Sequence, residues 1–280
     1  MLTCTRLSDV TAVHCHSSVM RPDQFKISAT LLGYILITAL RDRLFLALPV
    51  MLALGAALVI FLSGSAIIEQ REMAAALFGA GSRVLIIAGL VLFVCFHIRQ
   101  AMTGGEIALI LSRPISRGAF VLIYSASLVI AGFICVAASI LLVWVCARPP
   151  LDGLLMWGLS LALETMLMIL TAVFFGLILN SAVACVLACM GFYVLARMSG
   201  LLGALAGKAG ETGGIDLLLG YGFRLISLII PRLDFFTRSE WLVYGWNGGE
   251  PGVAWAVLQS LAFMPLILAA AIIDFSRKRL

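Results

Sequence analysis

Long apolar runs, broken by short charged or helix-breaking clusters, dominate the chain. Leu44 to Leu62 carries no charge between Arg43 and Ser63, and Pro251 to Ile273 none between Glu250 and Asp274. Each run is about the 20 residues that cross a bilayer core as a helix. Gly118 to Ala147 is a third such run, closed by Arg148, Pro149 and Pro150. Gly153 to Ala196 holds a single charge, Glu164, and is about twice a spanning length, so the chain must turn back near Asn180 and Ser181 in a helical hairpin. Val84 to Ile98 is uncharged between Arg83 and Arg99, which is short for a span unless the helix starts near Phe78. The pattern predicts six spans, roughly 44–63, 78–98, 118–147, 156–179, 182–200 and 252–273.

Residues 1–24 carry no periodic apolar pattern and read as a loosely ordered tail, with Met20 a second candidate for the start of translation. The basic residues there are not followed at once by an apolar run and a small-residue cleavage site, so the first span is expected to serve as the targeting signal. Residues 25–43 read as an interfacial helix, because Phe25 to Leu40 is apolar yet only about 24 Å long at 1.5 Å per residue, and Arg41-Asp42-Arg43 cuts it from the first span. An N-terminal extension of that span is the alternative. Residues 44–280 then form the transmembrane domain. Its largest extramembrane segment runs from about Arg197 to Glu250, with an apolar helix over Leu217 to Ile230 stopped by Pro231, and with Trp241, Tyr244 and Trp246 placed for an interfacial aromatic belt.

Composition agrees with the pattern. With 62% hydrophobic and 12% charged residues and a mean hydropathy of +1.12, the chain cannot hide its apolar surface in one soluble core. The fold class is therefore an all-α integral membrane protein. Lys and Arg give its orientation. If the N-terminus is cytoplasmic, the inner side holds Arg6, Arg21, Lys26, Arg41, Arg43, Arg99, Arg113, Arg117, Arg277, Lys278 and Arg279, the larger share of the 19 basic residues. That is the bias the positive-inside rule requires, so both termini are expected in the cytoplasm. Cys95, Cys135, Cys146, Cys185 and Cys189 fall within or at the ends of apolar spans and read as small hydrophobes, and no disulfide is expected.

Between the second and third spans the chain spends charge and a helix breaker together. It reads Thr103-Gly104-Gly105-Glu106-Ile107-Ala108-Leu109-Ile110-Leu111-Ser112-Arg113-Pro114-Ile115-Ser116-Arg117. Glu106 to Leu111 suits one to two helical turns, with Glu106 near the helix N-terminus and Pro114 ending it. Plain positive-inside anchoring would explain the arginines, but not the helix, the proline and the spacing.

Here the chain resembles the permease subunits of bacterial ABC-2 type transporters. The likeness is carried by Glu106, by Leu109-Ile110-Leu111 and by the hexapeptide Ser112 to Arg117 followed directly by a long apolar helix. Further support comes from the interfacial helix ending in a basic pair, the six spans, the turn near Asn180, and Ile230-Pro231-Arg232-Leu233-Asp234-Phe235 after an outer helix. The resemblance implies an exporter-like fold in which Glu106, Leu109, Arg113, Pro114 and Arg117 form a cytoplasmic coupling helix that docks on a separate ABC ATPase. It also implies a second permease copy, identical or paralogous, and a place in the bacterial cytoplasmic membrane. ATP and magnesium would be bound by the ATPase alone, with no cofactor on this chain and membrane lipid, not nucleic acid, as its other partner. The substrate and the direction of transport stay open.

The remaining candidates are few. Glu164 is the one acid well inside a span, and such a residue is a functional candidate by default. At 1.5 Å per residue it sits about 24 Å from the side of the Asn180 turn and Arg83 about 21 Å from the same side, so the two are expected to pair, unless both snorkel to the outer headgroups. Leu202-Gly203-Ala204-Leu205-Ala206-Gly207-Lys208-Ala209 imitates a phosphate-binding loop but lacks its first glycine and its final Ser or Thr. His14, Cys15 and His16 with Cys4 match no established metal-binding spacing, and no metal site is assigned. No nucleophile, base and orienter appear together, so no enzyme activity is expected. An ion-coupled secondary transporter remains an alternative, although such proteins usually carry more polar residues near the midplane. A non-transporting assembly or anchoring protein is the other.

Overall fold

The computed structural model describes residues 22–64, 70–105, 110, 116–209, 231–236, 240–246 and 251–277. Among these every regular element is a helix. In order the chain forms α1 (Pro22–Leu40), α2 (Arg43–Ser63), α3 (Gln70–Thr103), α4 (Arg117–Ala147), α5 (Leu151–Ile178), α6 (Ala182–Ala209), a 3-10 turn (Leu233–Phe236), the short α7 (Glu240–Tyr244) and α8 (Pro251–Arg277). Six of them, α2 to α6 and α8, are long and apolar enough to cross a membrane. The molecule is a multi-pass membrane protein by that measure.

The breaks between helices have local causes. Asp42 is extended and its side chain accepts a 3.0 Å hydrogen bond from the Leu44 amide, so it caps α2 and separates it from α1. Ser116 caps α4 in the same way through the Ala119 amide. Arg148 ends α4 in the left-handed conformation at φ 47°, and Pro149 and Pro150 forbid continuation. Several helices outrun their expected bounds. In particular α3 begins at Gln70, well before Phe78, and carries Arg83 inside the bundle, where its guanidinium meets a countercharge.

Two helices form the centre. Of the most apolar window of α5, 67% is buried, against 22% for α2 and for α8. Helix α3 packs on α2, α4, α5 and α6, while α5 packs on α3, α4, α6 and α8, and α1 lies along α4. The outward faces of α2, α6 and α8 present Leu54, Leu58, Phe61, Leu187, Leu261 and Leu266, all exposed. An apolar belt of that extent suits hydrocarbon and not water.

Three contacts and one turn gather chain ends at one end of the bundle, here the turn end. His97 Nδ1 lies 3.5 Å from Asp42, Arg99 donates to the Leu179 carbonyl at 3.2 Å, Arg117 donates to the Ser276 carbonyl at 3.3 Å, and Leu179 to Ser181 make the α5–α6 turn. At the opposite end α7 seals the start of α5. Trp241 is buried there, whereas Tyr244 is exposed, so Trp241 is part of the core and not of the expected aromatic belt. Residues 217–230, expected to form an outer helix, lie outside the described residues.

Gly153 allows that seal, since a Cβ there would run into the Trp241 backbone and come within 3.2 Å of the Gly245 Cα. No flexible side chain can yield. Gly153→Ala is therefore expected to destabilise the protein by about 1–3 kcal/mol. Gly55→Ala, on a face of α2 where nothing lies within 4 Å, should instead stabilise by about 0.5–1 kcal/mol. Denaturation midpoints of the two variants in one mild detergent check both signs.

Candidate functional site

Three helices bring charge together in the interior, in the half of the bundle away from the α5–α6 turn. On α5, Trp157, Ser160 and Glu164 follow a three- and four-residue spacing and so share one face. Glu164 is fully buried, and Arg83 of α3 is 2% exposed. Arg83 Nη1 bonds Glu164 Oε2, and Arg83 Nη2 donates to the Ser160 hydroxyl at 2.8 Å. That hydroxyl donates in turn to the Trp157 carbonyl at 2.7 Å. The other carboxylate oxygen, Oε1, accepts from Arg197 Nη1 of α6 at 3.0 Å.

Rings support both cations. The Arg83 guanidinium carbon is 5.7 Å from the Trp157 ring centre, and that of Arg197 is 5.8 Å from the Tyr193 ring centre, both within cation–π range. The cluster holds two positive charges to one negative. Arg197 keeps 25% of its side chain exposed, so the surplus charge has one partly open side.

Sequence reasoning named Arg83 and Glu164 but placed Arg197 at the start of a loop. In the structure α6 continues through it to Ala209. The signal was present: Tyr193 and Arg197, four apart, form an aromatic and cationic pair on one helical face. The segment resembling a phosphate-binding loop continues α6 as helix through Ala209, whereas a phosphate cradle needs loop backbone.

The turn end holds the second candidate region. A cleft of about 430 Å³ is lined by Thr38, Arg41, Asp42, Arg43, His97, Gln100 and Ala101. Arg117 is exposed at the first turn of α4, beside the end of α8. Ile110 packs at this end beside Tyr34, Ile35, His97 and Tyr124. Glu106, Leu109, Arg113 and Pro114 lie outside the described residues. The same is true of Cys4, His14, Cys15 and His16. Among the described residues one group brings three metal-ligating atoms together, Cys95, Cys185 and Cys189.

No family model matches the chain, and no curated protein matches it in sequence.

The cluster makes Glu164 the residue whose loss costs most, because the buried Arg83 and the partly buried Arg197 guanidiniums would face each other without an anion. Glu164→Gln is expected to destabilise by about 3–5 kcal/mol. Arg83→Leu should cost less, since it leaves Glu164 paired with Arg197, and adding it to Glu164→Gln should recover part of the loss. Denaturant unfolding of the two single variants and the double variant in detergent tests that order.

Proposed function

We propose that the chain is the membrane-spanning permease subunit of an ABC-type exporter, driven by a separate ATPase subunit and working beside a second permease copy. The observation that carries this reading is the segment 106–117, an acid-led apolar run closed by Ser112-Arg113-Pro114-Ile115-Ser116-Arg117 between two spans. The described residues that flank it, Gly105 and Ser116, lie at the turn end, where Ile110 also packs against the core. There Glu106, Leu109, Arg113, Pro114 and Arg117 are the ATPase contact.

Charge supports this end as the cytoplasmic one, with both termini inside the bacterial cytoplasmic membrane. Among the described residues it carries Arg41, Arg43, Arg99, Arg117 and Arg277, while the opposite end carries Arg71, Arg148, Lys208 and Arg232. Arg83 and Arg197 are engaged with Glu164 in the interior and add little to the surface bias that orients a membrane protein. ATP and magnesium act on the partner; this chain supplies the path. Closure of two ATPases around nucleotide would move the coupling segment as a rigid body, and the different contacts made in the open and closed states supply the drive.

The interior cluster favours this reading over ion-coupled transport. A coupling carboxylate must exchange its ion or proton with the solution, whereas both oxygens of Glu164 are engaged by guanidinium groups. The cluster also closes the bundle away from the turn end, which fits a substrate moving between two permease copies or along their surface. An anchoring protein would have no need of the proline-stopped segment.

Affinity purification from the native cells in mild detergent tests the assignment. An ATPase subunit is expected to come with the chain in equal amount, and Arg113→Glu with Arg117→Glu to release it while leaving the unfolding midpoint within about 0.5 kcal/mol of the parent, as for surface changes. Absence of an ATPase, or its retention after both charge reversals, overturns the proposal.

A further inference from the structure

The sulfur atoms of Cys95, Cys185 and Cys189 all lie within 4.8 Å of one another, and each residue is fully buried. Cys95 comes from α3, one turn before Arg99. Cys185 and Cys189 come from α6, four apart and so on one face, one turn beyond the α5–α6 turn. The Sγ of Cys95 is 4.0 Å from that of Cys189 and 2.6 Å from that of Cys185. Three apolar side chains of this size would pack without converging their tips. Thiols that converge from two helices present three soft donors to one point.

We propose that Cys95, Cys185 and Cys189 form a three-sulfur site for a soft, thiophilic monovalent ion, Cu(I) by its chemistry, which ties α3 to α6 near the turn end. A metal–thiolate bond of about 2.3 Å in a flat three-coordinate arrangement places the sulfurs about 4.0 Å apart. The Cys95 to Cys189 separation already has that value, and Cys185 reaches it by a small outward turn of its side chain. Donor type and number select the ion. Thiolates favour Cu(I) over hard cations, and zinc in structural sites takes four ligands, while the group among the described residues has three.

Charge is offset in part. Binding releases the thiol protons to solvent, and three thiolates on one monovalent ion leave two negative charges, of which Arg99, about 6 Å further along α3 at 1.5 Å per residue, offsets one. Arg99 is held in place by its bond to the Leu179 carbonyl at the entrance to the turn. The site does not depend on the transporter reading and would serve any function of the bundle.

The test uses the full chain, purified in mild detergent under reductant and without oxygen, and titrated with Cu(I) against a competing chelator. One ion per chain is expected, with an X-ray absorption spectrum of three sulfur neighbours. Cys95→Ser and Cys189→Ala should each weaken binding by more than the roughly 10- to 100-fold typical of losing an outer-shell partner. Cys135→Ala, a buried thiol outside the group, should bind as the parent does, and so should a variant with Cys4, His14, Cys15 and His16 all replaced by Ser. Should a cluster variant fail to fold, the stoichiometry and sulfur count of the parent decide alone. No retained ion, an ion lost with the N-terminal replacements, or a Cys95–Cys185 disulfide in the intact mass of protein prepared under reductant overturns the proposal.

Discussion

One carboxylate with a guanidinium on each oxygen governs how α3, α5 and α6 stand against each other. Moving an ion from water into a medium of low dielectric costs several kcal/mol even after relaxation, and the interior of this bundle offers no water-like surroundings to the fully buried Glu164. The cost is offset only while all partners hold their places. Because each of the three helices contributes at one height, sliding any of them by a turn of about 5.4 Å would separate the charges. The cluster thus fixes axial register, a task that uniform leucine faces perform poorly.

Polar contacts at the turn end act on backbone and not on charge alone. Arg99 and Arg117 each donate to a carbonyl in or beyond the last turn of another helix, Leu179 after α5 and Ser276 in α8. Cations are favourable at helix C-termini because the last carbonyls lack intrahelical partners and carry partial negative charge. Asp42 does double service, capping α2 and facing His97. Between the two ends packing is mainly apolar, with buried hydroxyls such as Ser125 and Thr171 donating to carbonyls of their own helices, and the outward faces are open to lipid.

How much of this was legible in the sequence depended on the period of the signal. Uncharged runs such as Leu44 to Leu62 and Gly118 to Ala147 mark spans because length against bilayer thickness is a one-dimensional property. The break at Arg41-Asp42-Arg43 was marked by charge but left a continuous helix as the alternative, and the chain breaks there because Asp42 caps α2. Arg83 and Glu164, 81 residues apart, were paired by helical height alone, whereas the start of α3 was not legible, because Arg71 and Glu72 in its first turn interrupt the apolar run. Arg197 and the thiols of α6 were hidden for a related reason. Four-residue spacing shows which side chains share a face, but not which helix that face meets, and Cys95 is 90 residues from Cys185. Trp241 looked interfacial by composition and is buried because Gly153 lets two backbones touch.

Helices α3 and α6 meet twice, through Glu164 at one height and through sulfur near the opposite rim. A pair of rods joined at two separated points can neither slide nor scissor. Any shape change therefore falls to the less buried periphery, where α2 and α8 each carry a proline inside the helix, Pro49 and Pro265. The protein has a stiff spine and two jointed outer limbs.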